Sequence, residues 1–408
     1  MPSSIPNDVP KDCKVTFANV LSRHGARDPA LSKTIIYGAF VAALQTNVTS
    51  FTGKYAFLRD YKYSLGADML TAFGEQQMVN NGIKFYGRYK HLAKTATPFM
   101  RTAGQQRVVD SANLFGTGFH QAYVGDNEDK KDSYPYPLVI IEESSTSNNT
   151  LSYSRCPAFR DDKPDIEAQG EWMDVFIPPI IERLEKDLPG LQLAKQDVIS
   201  FMDLCPFETM ASPTGALSPF CYIFSKKEWR QYDYYESLGK WYGYGNGNSL
   251  GATNGVGFVN ELIARLTNSP VKDHTSTNRT LDSDPKTFPL GPEYPLFADF
   301  SHDNDLTTII AALGLYNTTA PLSNTTLQNV HETKGYSASW TVPFAGRLYF
   351  EKLQCGHDEE EKVRVLVNDR VIPLPWCGGK KDGMCKLSRF VDGLSFARQG
   401  GRWNECFE

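Results

Sequence analysis

Three apolar, β-rich runs in this chain each break off into a small polar cluster, and that repeated order restricts the fold more than any other feature of the sequence. Residues 15–21 run directly into Arg23, His24 and Gly25. Residues 98–101 read as a short strand, and Val108, Ala112, Phe115 and Phe119 then fall on one helical stripe, which puts Arg107 in that helix's first turn. Residues 296–300 lead into the cluster 301–304, after which Leu306, Ile309, Ile310 and Leu313 recur at helical spacing. Strands alternating with helices predict an α/β sheet, and such sheets bind ligands beyond the carboxyl ends of their strands. All three polar clusters would share that edge.

The remaining patterns fill in the architecture. Met78, Gly82, Phe85, Tyr86 and Tyr89 mark a helix packed on one face. Between about 146 and 265 the strand and helix alternation gives way to short helical pieces, several prolines and a Gly-rich stretch at 243–257, expected to be a flexible loop. We therefore expect a large α/β domain, with a central mixed sheet flanked by helices, formed by residues 1–145 and 266–408. Residues 146–265 would form a smaller, mainly helical insert. Val363, Val365 and Val367 alternate, Asn368 and Asp369 make a turn, and residues 370–374 can return as a hairpin.

At 408 residues, 41% hydrophobic and 22% charged, the chain can bury one large core plus an insert, and it has no apolar run of membrane-spanning length. A membrane role is not expected. The net charge of −5 argues against nucleic acid as a partner, so an anionic substrate would have to find a local basic pocket.

Eight cysteines form no C-x-x-C pair, which favours disulfides over a zinc or redox site and leaves roughly a hundred pairings open. Five acceptor sequons begin at Asn47, Asn148, Asn278, Asn317 and Asn324. Together these features predict a secreted, extracellular glycoprotein. The first fourteen residues are polar and Pro-rich, unlike a signal peptide, and read as the start of a mature or trimmed chain with an added Met.

The densest chemistry lies in Arg23-His24-Gly25-Ala26-Arg27-Asp28-Pro29. Two guanidinium groups, planar and permanently charged, flank an imidazole, and the glycine lets backbone approach a ligand. This is a phosphate site with a nucleophile inside it. The positive field should lower the His24 pKa and keep a ring nitrogen free for attack on phosphorus. Arg107, at a helix N-terminus, adds charge where phosphate is already favoured.

Arg-His-Gly-x-Arg-x-Pro is the signature of the histidine acid phosphatases, and the partner His-Asp motif of that family stands at His302-Asp303. The chain resembles the fungal phytases over essentially its whole length, for example in Val-Leu-Ser-Arg-His-Gly-Ala-Arg at 20–27 and Ala-Asp-Phe-Ser-His-Asp-Asn at 298–304. The resemblance implies a histidine phosphatase fold and hydrolysis of myo-inositol hexakisphosphate through a phosphohistidine on His24. It implies that Arg23, Arg27, Arg107 and His302 hold the phosphate, and that Asp303 protonates the leaving group. No metal or cofactor enters those steps, the substrates are small phosphomonoesters, and a monomer is expected. It also implies the pairings Cys13 with Cys355, Cys156 with Cys406, Cys205 with Cys221 and Cys377 with Cys385.

The sequence departs from these relatives near the signature. Lys33 is kept in a stretch that is often lysine-rich, but Ile35 and Ile36 are apolar, and Asp28 stands where an aromatic residue is common. Asp28, Lys33 and Ile36 are expected to line the substrate pocket, with Lys272 as a further source of charge. Fewer positive charges leave a broad-specificity acid phosphatase as the alternative. Gly247-Asn248-Ser249-Leu250-Gly251 matches a serine hydrolase elbow but follows no apolar strand. A phosphoglycerate mutase shares the Arg-His-Gly logic but not the insert, sequons and cysteines, and a non-catalytic binding module would lack the nucleophile or the acid.

Overall fold

The computed structural model describes residues 5–126 and 133–408. Eight strands form one mixed sheet: β1 (Cys13–Arg23), β2 (Phe99–Ala103), β3 (Leu138–Ile141), β4 (Leu296–Ser301), β5 (Arg347–Cys355), β6 (Lys362–Val367), β7 (Arg370–Val371) and β8 (Met384–Lys386). Their order is β3-β2-β4-β1-β5-β6-β7, with β8 also paired to β6. The first four in that order run parallel, and β5 onward is antiparallel. Four of the six residues of β4 are apolar and all six are buried, as a parallel strand covered on both faces requires. The turn between β6 and β7 uses Asn368 and Asp369 in the left-handed region, at φ 47° and 66°, a geometry these two residue types tolerate.

Helices cover the sheet. The helices α1 (Leu31–Asn47), α2 (Ala72–Ala93) and α3 (Gln106–Asp126) follow the first two strands. Thr71 caps α2 by accepting from the Gly74 amide at 3.1 Å, and α2 lies against α3 so closely that a Cβ on Gly82 would meet the Phe115 oxygen at 2.0 Å. Phe85, Phe115 and Phe119 pack there over the sheet residues Phe300 and Tyr349.

Two main apolar clusters result. One lies around the sheet and takes in α2, α3 and the helix Val256–Thr267. The other is helical, built by α1, the turn Gly53–Arg59 and the helices Pro164–Phe176, Pro178–Asp187, Lys195–Ala211 and Lys226–Tyr244, with Leu322 and Tyr336 added from far along the chain. Elements are thus exchanged between the clusters on both sides of positions 145 and 265.

Residues 243–257 do not form a flexible loop. They end one helix, turn, form the short helix Gly251–Asn254 and begin Val256–Thr267. The glycines are there for contact: a Cβ on Gly255 would lie 2.4 Å from the Thr308 oxygen, and one on Gly251 2.3 Å from that of Gly245. Ser249 is exposed and preceded by a helix, so the elbow reading has no structural basis.

Disulfides join Cys13 to Cys355, Cys156 to Cys406, Cys205 to Cys221 and Cys377 to Cys385. Among the described residues no helix is long and apolar enough to cross a membrane.

Candidate active site

The parallel register sets the site. Arg23 at the end of β1 pairs with Ser301 at the end of β4, so His24 and His302 leave the sheet side by side. Their rings meet edge to face with centroids 5.5 Å apart. Beyond the end of β2 come Gln105 and Arg107, and beyond β3 comes Glu143. His24, His302, Gln105, Arg107 and Glu143 border one cleft of about 380 Å³.

The loop that carries His24 is pressed onto the start of α2. The Ala26 amide donates to Gln77 Oε1 at 2.9 Å, the Gly25 amide to Ser111 Oγ at 3.1 Å, and a Cβ on Gly25 would stand 2.3 Å from the Gly74 oxygen. Glycine is needed on both sides of this contact, since a Cβ on Gly74 would lie 1.9 Å from the Ala26 oxygen.

His24 is buried, with Nδ1 2.8 Å from the Gly25 carbonyl oxygen. A carbonyl only accepts, so Nδ1 carries the hydrogen and Nε2 keeps its lone pair. Burial is the main cause that pushes the His24 pKa well below its ordinary value, and the charges of Arg23 and His302 add to it. These effects favour the neutral imidazole, with Nε2 free to accept.

Arg23 lies over the Phe344 ring at 4.2 Å, donates to the Val342 oxygen at 2.6 Å, and comes within 3.2 Å of Asp303. Arg27 donates to the Asp28 oxygen, and Arg107 is 3.5 Å from Asp68. Burial first, then the Arg107 and Arg23 charges, pushes Arg27 down to about 10, so the guanidinium groups crowd one another and remain charged. The Nε atoms of Arg23, Arg27 and Arg107 are buried without a protein acceptor. Three orphaned cationic donors around a neutral imidazole form a receptor for a compact anion.

Asp303 begins the helix Asp303–Ala312, directly after His302. Burial alone would raise its carboxyl, but Arg23 and Lys240 outweigh this and hold it well below the usual range. Lys240 is 2.7 Å from Asp303 and also donates to Asn304. The sequence carries no signal for Lys240, which arrives from the helix Lys226–Tyr244. Nor does it mark Glu143, whose carboxylate takes His302 Nε2 at 3.1 Å and the Gln105 amide at 2.9 Å, because β3 is only four residues long.

The residues expected to choose the substrate are scattered. Lys33 is 3.6 Å from Asp203, while Ile35 and Ile36 are 62% and 47% exposed on α1. Asp28 lines a neighbouring cavity beside Gly66 and Glu208. Lys272 is not among the residues that border the cleft. It follows the helix Val256–Thr267 and lies in another cavity with Arg398.

The sequence family described as the histidine phosphatase superfamily, branch 2, matches residues 14–368. This chain belongs to that family. It is a phosphoric monoester hydrolase, and the relatives it matches are phytases. It is 54% identical over 409 residues to Phytase A of Aspergillus oryzae, covering 99% of this chain and 87% of that one. Identity to Phytase A of Aspergillus fumigatus is 53% over 406 residues, with the same coverage. Among solved structures, the phytase from D. castellii superposes with a TM-score of 0.82 at 23% identity, over 100% of this chain and 85% of that one. The multiple inositol polyphosphate phosphatase of Bifidobacterium longum, solved with inositol hexasulfate, gives 0.61 at 15% over 96% of each chain. These two likenesses bear on the fold, which this branch 2 histidine phosphatase shares.

Proposed function

We propose that this histidine phosphatase hydrolyses phytate with His24 as nucleophile, and the observation that carries the reading is the hydrogen bond from His24 Nδ1 to the Gly25 oxygen. It points the Nε2 lone pair at the anion receptor. Arg23, Arg27, Arg107 and His302 take the phosphate oxygens. Nε2 attacks phosphorus in line, the bond from phosphorus to the ester oxygen breaks, and the leaving alkoxide takes a proton from Asp303. Water then attacks the phosphohistidine and gives its proton to Asp303, which releases orthophosphate and restores His24.

Without substrate, Asp303 is ionised by its two cations. Substrate phosphates that draw Arg23 and Lys240 toward themselves weaken that hold, and the acid then takes up the proton it must deliver. Acidic solution favours this state, so the optimum lies in acid.

The exposed Ile35 and Ile36 favour a second reading, a broad acid phosphatase with the same mechanism, because no charge there meets the outer phosphates of a polyanion. Four disulfides and five sequons, with Asn47 and Asn317 exposed, support a secreted glycoprotein.

Phosphate release from phytate and from an aryl phosphate at about pH 5 separates these readings. Preference for phytate, lost in His24→Ala, is expected. A preference for the aryl ester supports the broad phosphatase, and full activity of His24→Ala removes the nucleophile assignment.

A further inference from the structure

Asp305 is a buried carboxyl in the wall of the cleft that the reaction above does not use. It sits in the first turn of the helix Asp303–Ala312, two residues after the proton donor. One oxygen accepts from the Tyr153 amide at 2.8 Å, which ties the cleft wall to this helix. The groups that face it are His302 and Asp303 from the helix start, Glu143 from beyond β3, and the phenol and amide of Tyr153. Each neighbouring carboxylate already has a cationic or imidazole partner: Asp303 has Arg23 and Lys240, and Glu143 has His302. Among the described residues Asp305 forms no ion pair of its own.

We propose that Asp305 is a charge gate on phosphate binding: neutral, it leaves the cleft open to the anion beside His302, and ionised, it repels it. The inference rests on the reading of His24 and His302 as the phosphate site, and it adds a residue that sets how strongly that site binds. Burial is the leading cause that pushes the Asp305 carboxyl up to about 7, and the nearby Glu143 and Asp303 charges act in the same direction against the opposing effects of His302 and the Tyr153 amide. The two aspartates of one helical turn thus stand in opposite states in mild acid: Asp303, between two cations, is ionised, and Asp305, without one, is protonated. Raising the pH adds a negative charge within the phosphate cleft itself. Only the loss of a proton from Asp305 is needed.

The test is kcat and KM for an aryl phosphate at about pH 5 and about pH 8, in wild type, Asp305→Asn, Asp305→Ser and Glu236→Gln. Asparagine keeps an acceptor for the Tyr153 amide. Glu236 is the control because burial also pushes its carboxyl up to about 7, from the helix Lys226–Tyr244. In wild type KM rises between the two pH values, and Asp305→Asn is expected to reduce that rise roughly tenfold, the order of one unscreened charge near a bound anion. Asp305→Ser gives the same relief if asparagine disturbs folding, which thermal melting detects. A parallel rise in KM in wild type and both Asp305 variants overturns the gate, as does relief by Glu236→Gln alone. A lower melting temperature with the wild-type pH dependence assigns Asp305 a structural role and also overturns it. His24→Ala, run alongside, reports on the underlying site: loss of turnover at both pH values keeps that reading whether or not the gate survives.

Discussion

Lys240 reaches from the helix Lys226–Tyr244 to within 2.7 Å of Asp303, so the helical part of the molecule sets the charge state of an acid that the sheet presents. With Arg23 at 3.2 Å on the same oxygen, the carboxyl is held ionised far into acid. Removing one cation releases part of that hold. In Lys240→Ala the proton on Asp303 should persist to higher pH, and the kcat profile for an aryl phosphate should move toward neutrality. A profile left in place would mean that Lys240 does not govern the proposed proton donor.

His24→Ala removes the proposed nucleophile and leaves the three arginines in position. Turnover should fall by about four orders of magnitude or more, as when other covalent nucleophiles are removed. Rapid acid or base quench with radiolabelled substrate tests the intermediate directly: label should stay on wild-type protein in base, where phosphohistidine survives, and be absent from the variant.

Gly25→Ala places a methyl group 2.3 Å from the Gly74 backbone oxygen, and backbone cannot yield as a flexible side chain would. The strain should cost about 1–3 kcal/mol of stability, read by chemical denaturation. Activity should fall further than stability, because the same shift displaces His24 from the Gly25 carbonyl bond.

The pH dependence of stability has two opposed sources in the buried charges behind the sheet. Asp299 bonds to Arg101 at 2.8 Å and Arg265 at 2.6 Å. Burial would raise it, yet the two arginines bring it down to about 2, so its contribution is present above the ordinary carboxyl value of about 4 and is lost as pH falls toward 2. Asp282, beside Glu261, is pushed up to about 8 by burial and that neighbouring carboxylate. Its contribution is complete below about 4 and is lost as pH rises through 8. Melting temperature should therefore decline from about pH 5 to about pH 8, and Asp282→Asn should flatten the decline.

The bond between Cys13 and Cys355 joins β1 to β5 across 342 residues of chain. Replacing both with serine should cost about 2–5 kcal/mol in denaturant unfolding, because a closure of that length restricts the unfolded chain strongly. A smaller loss would show that the antiparallel pairing of the two strands already holds them in register.

The residues that speak for themselves in the sequence are those whose chemistry and local structure are carried by neighbours along the chain. Arg23, His24, Gly25 and Arg27 lie within five positions, and His302 with Asp303 sits between a strand and a helix that periodicity marks clearly. Phosphate chemistry and an α/β sheet follow from those segments alone. Tertiary structure decided what distance along the chain conceals. It paired β1 with β4, brought Lys240 to Asp303 and Glu143 to His302, placed Asp28 in a different cavity and put Lys272 in another. The glycines of 243–257 tell the same story: their composition suggests a mobile loop, but the missing side chain of Gly255 leaves room for the backbone of Thr308, which the local sequence does not contain. A motif records which groups can react, whereas burial, charge pairing and the Asp305 environment arise only when segments far apart in the chain exclude water together.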